Sequence, residues 1–224
     1  MSSRFYCIGG FPGIGSVGKV AADFLIEAMD TETVRHFRSP GLPPQVMIVD
    51  GQANLFQAEL KLPKDRDNLL LLSGDAQPMD VKNMYILAGE ILEEISALGA
   101  TDIITLAAYV GESPTRIMAT TTAPEMTEEL ERQNIGIMRR GLIGGLNGLL
   151  IGMAPRYGLR GVSLLGVTPG EDPVDLKAAK NLIEAVTVLL NLEVSLDSLN
   201  ELVSKEEEPV GEEPVEEDLG MYYR

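Results

Sequence analysis

Arg4-Phe-Tyr-Cys-Ile-Gly9 runs directly into Gly10-Phe-Pro-Gly-Ile-Gly-Ser-Val-Gly18, and apolar residues then recur at helical spacing to position 29. A short apolar strand, a glycine-rich turn and an amphipathic helix in that order open an α/β fold. Two nucleotide-binding patterns nearly match the turn. Gly13, Gly15 and Gly18 fit G-x-G-x-x-G, which expects an acidic ribose ligand about 20 residues further on. The acid that ends the next apolar strand, at 46–50, is Asp50, well past that distance. Gly13, Gly18 and Lys19 also fit a phosphate loop, but Val20 stands where a Ser or Thr hydroxyl holds magnesium. Two readings follow. Either the glycines allow positive φ and close helix–strand packing, or the loop of residues 13–19 cradles a phosphate-bearing ligand.

Outward from that loop the pattern repeats. Residues 56–62 alternate polar and apolar, as a half-exposed antiparallel strand does. Residues 69–73 form a buried strand, and 79–98 have helical spacing, closed by Gly99. Residues 103–108 are the next strand, and 116–121 are extended. Thr122-Ala-Pro-Glu125 has capping-box spacing and starts a short helix through 132. Glycines 141, 145, 148 and 152 fall on one face of a helical segment at 141–153, which predicts a tightly packed internal or subunit-interface helix. Residues 162–167 are the last core strand. Asp172 is the predicted cap of a helix over 173–192, with Pro173 at its first position. A final short helix at 195–204 has Leu196, Leu199 and Leu202 on one face.

The 224 residues predict one core domain over 1–204 and a separate tail over 205–224. The tail carries Glu206, Glu207, Glu208, Glu212, Glu213, Glu216, Glu217 and Asp218, interrupted by Pro209 and Pro214. It cannot bury enough apolar surface to offset its ordering entropy, so disorder is expected. It ends in Tyr222-Tyr223-Arg224, which reads either as an arbitrary chain end or as a ligand held out for a partner's pocket. A net charge of −16 lacks the basic footprint of nucleic-acid binding. No apolar run reaches the ~18 residues of a membrane span. The first fifteen residues lack a signal-peptide layout, and a cytoplasmic location is expected.

Catalytic and metal-ligating residues are scarce. His36 is the only histidine and Cys7 the only cysteine, so neither a histidine metal cluster nor an internal disulfide is expected. No G-x-S-x-G elbow supplies a nucleophile. Asp75, Glu112 and Arg116 follow strands, where α/β ligand sites form. They read as a carboxylate–arginine site or, with no nucleophile or metal beside them, as internal ion pairs or assembly contacts. No cofactor is expected.

Four phrases together resemble the archaeal proteasome assembly chaperone family. They are Gly10-Phe-Pro-Gly-Ile-Gly-Ser-Val-Gly18, Ser73-Gly-Asp-Ala-Gln-Pro78, Tyr109-Val-Gly-Glu-Ser-Pro-Thr-Arg116 and Gly141-Leu-Ile-Gly-Gly-Leu-Asn-Gly-Leu-Leu-Ile-Gly152. The resemblance spans the chain from its first strand to about position 192. It implies a three-layer α/β fold, nucleoside-phosphorylase-like, with a mostly parallel mixed sheet flanked by helices. It also implies no catalysis, self-association with a tetramer favoured, and a possible paralogous chaperone subunit as co-assembling partner. Under this resemblance Tyr222-Tyr223-Arg224 is similar to the hydrophobic–tyrosine–any-residue terminus that docks between α-subunits of the archaeal proteasome core particle. Tyr222 and Tyr223 are then the anchors, and Arg224 supplies a carboxylate for a pocket lysine. A flexible linker of about 20 residues reaches roughly 25 Å, and several tails on one oligomer bind with avidity. No ATPase motor is encoded, so any activation is expected to be ATP-independent.

Overall fold

The computed structural model describes residues 4–207. Its core is an eight-stranded mixed sheet in the order β2-β5-β6-β1-β7-β10-β8-β9. The central four strands, β6 (Leu69–Gly74), β1 (Tyr6–Gly10), β7 (Asp102–Val110) and β10 (Arg160–Thr168), are parallel. Antiparallel β5 (Ala58–Pro63) and β2 (Thr31–Phe37) extend one side. On the other side β8 (Ile117–Thr121) runs antiparallel to β10, and β9 (Gly136–Ile137) runs parallel to β8.

Period-two alternation divides the central strands between two cores. Ile8, Leu69, Leu71, Ile104, Leu106, Val162 and Leu164 face one side. There they pack against α1 (Val17–Ala28) and α5 (Leu176–Leu190), with α3 (Thr127–Arg132) and α6 (Asp197–Glu207) on the flanks. Cys7, Leu70, Leu72 and Ile103 face the other side, under α2 (Val81–Ala97) and α4 (Gly145–Met153). Strands buried on both faces need covering on both, which is why the chain forms three layers. The expected α/β architecture is therefore the observed one.

Several local expectations are corrected. The strand expected at 46–50 belongs to a separate hairpin, β3 (Val46–Val49) with β4 (Gln52–Leu55), and pairs with no strand of the main sheet. Asp50 and Gly51 form its two-residue turn, both at positive φ (50° and 76°), the Asp-Gly signature of a tight hairpin. Strand β2, which the apolar periodicity does not mark, is an exposed edge strand held by β5.

Helix α5 begins at Leu176 and is capped by Asp175, not Asp172. Residue 175 is fixed there because its N–H donates to the Gly15 carbonyl at 2.8 Å, while its carboxylate accepts from Ala178 N (2.8 Å) and Thr168 Oγ1 (2.5 Å). No capping box closes α3. The Thr122 hydroxyl instead accepts from Gly161 N at 2.8 Å, and a 3-10 turn at Pro124–Met126 precedes the helix. The glycine stripe does not form one internal packing face either. Helix α4 starts only at Gly145, Gly152 borders open space, and Gly148 faces the carbonyl of Ile143, so the chain turns back on itself there. In α6 the buried residues are Leu199 and Val203, whereas Leu202 is half exposed.

Candidate functional site

Parallel α/β sheets place ligands beyond the carboxyl ends of their strands, where successive connections diverge. Here that point lies between β1 and β7, since β6 is on one side of β1 and β7 on the other. A pocket of about 450 Å³ opens at this position. Phe11, Ile14, Tyr109, Val110, Met138 and Leu142 form much of its wall. The side-chain amides in its wall are already occupied. Asn147 Oδ1 accepts from Phe11 N (3.1 Å) and its Nδ2 donates to Phe11 O (3.2 Å). Gln77 Oε1 accepts from Leu146 N (2.7 Å), and its Nε2 donates to Pro12 O. Among the described residues no charged side chain lines this space.

The glycines of the loop have a packing use. A Cβ on Gly18 would overlap the carbonyl of Leu106 in β7, and one on Gly10 would overlap the carbonyl of Gly18. These two glycines bring α1 against the sheet backbone. Gly15 adopts φ +56°, and the segment around Asp175 closes over it. Lys19 does not reach the loop. Its Nζ lies 2.7 Å from Asp23 Oδ2 and donates to Ser73 Oγ at 3.2 Å, while Ser73 itself donates to Asp23. The cation that a phosphate loop would use is thus engaged by Asp23 and Ser73.

The other candidates do not converge. Asp75 is tied to Gln57, accepting from its N–H at 3.0 Å and donating its own N–H to the Gln57 carbonyl at 2.9 Å. Among the described residues no ion pair joins Asp75 or Glu112 to Arg116. Arg116 instead borders a second cleft with Lys177 and Lys180. His36 Nδ1 lies 3.1 Å from Glu59 Oε1 on the β2–β5 edge. Cys7 is fully buried, and desolvation pushes its thiol from an ordinary 9.0 to about 12, which makes it an inert core residue. Among the described residues no group of His, Cys, Asp or Glu is arranged to hold a metal ion, and no helix is long and apolar enough to cross a membrane. Tyr222, Tyr223 and Arg224 lie outside the described residues, as do residues 208–224 of the expected tail, whereas residues 205–207, expected to be disordered, continue α6.

The surface carries one feature that apolar periodicity does not reveal. In the β3–β4 hairpin Val46, Met47, Ile48, Val49 and Leu55 are all exposed, Ile48 by 63% and Leu55 by 67%. Asp50-Gly51 was the available signal for a hairpin, and nothing in the sequence says that it leaves the sheet.

A three-layer α/β domain with an uncharged switch-point pocket and an exposed apolar hairpin defines the structural class. The family follows from comparison. The chain belongs to the PAC2 family, whose model matches residues 7–212. Its structure resembles PbaB of Pyrococcus furiosus, an archaeal proteasome activator, with a TM-score of 0.81 and 31% identity over 92% of this chain and 91% of that one. PbaA of the same organism, an archaeal homolog of proteasome-assembly chaperone, gives 0.79 and 28%, covering 92% and 85%. An uncharacterised Methanocaldococcus jannaschii protein is 31% identical over 198 residues, 86% of this chain and 76% of its own length. The family resemblance read from the four sequence phrases is thereby borne out.

Proposed function

We propose that this protein binds the archaeal proteasome core particle and acts without catalysis, as an ATP-independent activator, an assembly chaperone, or both. The observation that carries the reading is the similarity to PbaB over nearly the whole of both chains. Tyr222, Tyr223 and Arg224 are the docking residues in this reading, inserted between α-subunits from an acidic segment beyond a core that ends near 204. The protein works in the cytoplasm as a homo-oligomer, for which we favour a tetramer, and a paralogous subunit is a further partner to test. Self-association is supported by the β3–β4 hairpin. A two-stranded hairpin is marginal alone in water, and exposed contiguous apolar surface marks interaction sites.

The test compares core-particle binding by the full-length protein and by a chain ending at Met221. Loss of binding on truncation is expected, together with peptide-hydrolysis stimulation that is equal with and without ATP. Equal binding by both chains would move recognition to the folded surface, and strict ATP dependence would overturn the mode of activation.

The phosphate-ligand alternative has lost its cation to Asp23 and Ser73. What the switch-point pocket retains is room for a neutral, apolar group.

A further inference from the structure

The switch-point pocket has a main-chain feature that its side chains do not show. Strand β7 pairs with β1 only as far as Leu106, opposite Gly10, but with β10 as far as Val110, opposite Thr168. Its last four residues, Ala107 to Val110, therefore have one neighbouring strand instead of two, and all four line the pocket. Along a strand the N–H and C=O groups of successive residues turn to alternate sides. Both ends of β7 fix which residues face which side. Asp102 N donates to Phe5 O at 3.2 Å on the β1 side, and Gly111 N donates to Thr168 O at 3.3 Å on the β10 side. The main-chain groups of Ala108 and Val110 thus point past the end of β1, into the pocket.

Other main-chain groups around this space have partners. The Asn147 amide meets both groups of Phe11, and the Gln77 amide spans Leu146 N and Pro12 O. Among the described residues no hydrogen bond reaches Ala108 or Val110 from the β1 side. Free strand groups of this kind are a template for a further strand. The rim beside them is apolar and unpacked, with Ile14 exposed by 53% and Leu142 by 98%. Two residues of β7 that face the same way lie about 6.6 Å apart, the repeat of every second residue in any extended chain. A charged group entering here would lose its hydration without gaining a partner.

We propose that the pocket binds a short, uncharged, extended peptide segment of another protein. The segment adds as a strand beside Ala108 and Val110 and seats apolar side chains against Phe11, Ile14, Met138 and Leu142. Main-chain pairing supplies affinity, and the apolar wall selects the side chains. A pocket of about 450 Å³ has the size of a ligand site. The site uses the strand edge and stands whether or not the protein binds a proteasome.

The experiment titrates the isotope-labelled, full-length protein with the blocked tripeptide acetyl-Ala-Leu-Val-amide and follows amide proton shifts. Those of residues 108 and 110 are expected to move downfield and saturate. Those of 109 and 111, which face β10, should move much less. The same peptide with every amide N-methylated keeps its apolar side chains but can donate no hydrogen bond, and should bind at least about tenfold more weakly. This comparison needs no change to the protein, so misfolding cannot decide it. Leu142→Asp, at a fully exposed position where substitution costs the fold little, should also weaken binding. Equal binding of the methylated peptide, or shifts at 109 and 111 as large as those at 108 and 110, would overturn the strand pairing. Absence of any saturable shift up to millimolar peptide would overturn the site.

Discussion

The turn between β1 and α1 is nearly bare of side chains yet lies against the sheet, whereas the β3–β4 hairpin is built of Val, Met, Ile and Leu yet stands exposed. Gly18 meets the Leu106 backbone and Gly15 is covered by Asp175, so the missing side chains are what allow the close approach. Ile48 and Leu55 are mostly exposed, although their apolar run looks like a core strand. Local composition records which groups avoid water. It does not say which surface they avoid it against: for the loop that surface is this chain, while for the hairpin this chain supplies none among the described residues.

Substituting the closest contact tests the loop most severely. Gly18→Ala forces α1 off β7 and is expected to cost about 3 kcal/mol or more, the upper range of overpacking, read from urea midpoints. A loss of only a few tenths would show that the helix–sheet approach is not what selects glycine there.

Gly15→Ala is a milder probe. An alanine in the left-handed region costs about 1–2 kcal/mol, with crowding against Asp175 added. Thermal unfolding with and without saturating ATP, NAD or inorganic phosphate separates the two readings of the loop. No ligand is expected to raise Tm in the parent or the variant. A stabilisation near 2.7 kcal/mol at a hundredfold excess over Kd, lost in Gly15→Ala, would restore the phosphate reading.

Cys7 reports on the sheet from which the loop leaves. Its folded pKa, about 12, exceeds its ordinary 9.0, so between those values the folded state holds the thiol proton more tightly than the unfolded state. The associated stability is complete below about pH 9 and is lost as pH rises toward 12, at a slope on the order of 1 kcal/mol per pH unit. Cys7→Ala should abolish that alkaline slope. Rapid modification of the native thiol at pH 8 would contradict the burial.

The hairpin should show the smallest effect on the stability of a single chain. Ile48→Asp at an exposed position is expected to stay within about 0.5 kcal/mol, while sedimentation shifts toward smaller species. A large stability loss with unchanged assembly would make the hairpin part of the subunit core and reverse the contrast with the loop.

Much of the fold was legible because it depends on period and punctuation. The buried run at Leu69-Leu-Leu-Leu72 alternates between both cores, and Gly99, at φ +94°, closes α2 as its position implied. Caps were less legible. Asp172, Asp175 and Thr122 are all competent capping residues, and the choice fell to long-range bonds, from residue 175 to Gly15 and from Thr122 to Gly161. Edge strand β2 leaves little apolar signal because residues 32–36 are exposed on both of its faces.

The sequence by itself determined the α/β class, the strand–glycine–helix opening, the family phrases, the acidic excess and the absence of a histidine cluster, because these follow from residue identity and short-range spacing. Tertiary structure decided that Lys19 binds Asp23 and Ser73, that Asp75 and Arg116 part company, that the hairpin leaves the sheet, and that Arg116 joins Lys177 and Lys180. Apart from the local contact of Lys19 with Asp23, these outcomes depend on which residues distant in the chain are brought close and which are kept apart, and that is set by how the layers pack.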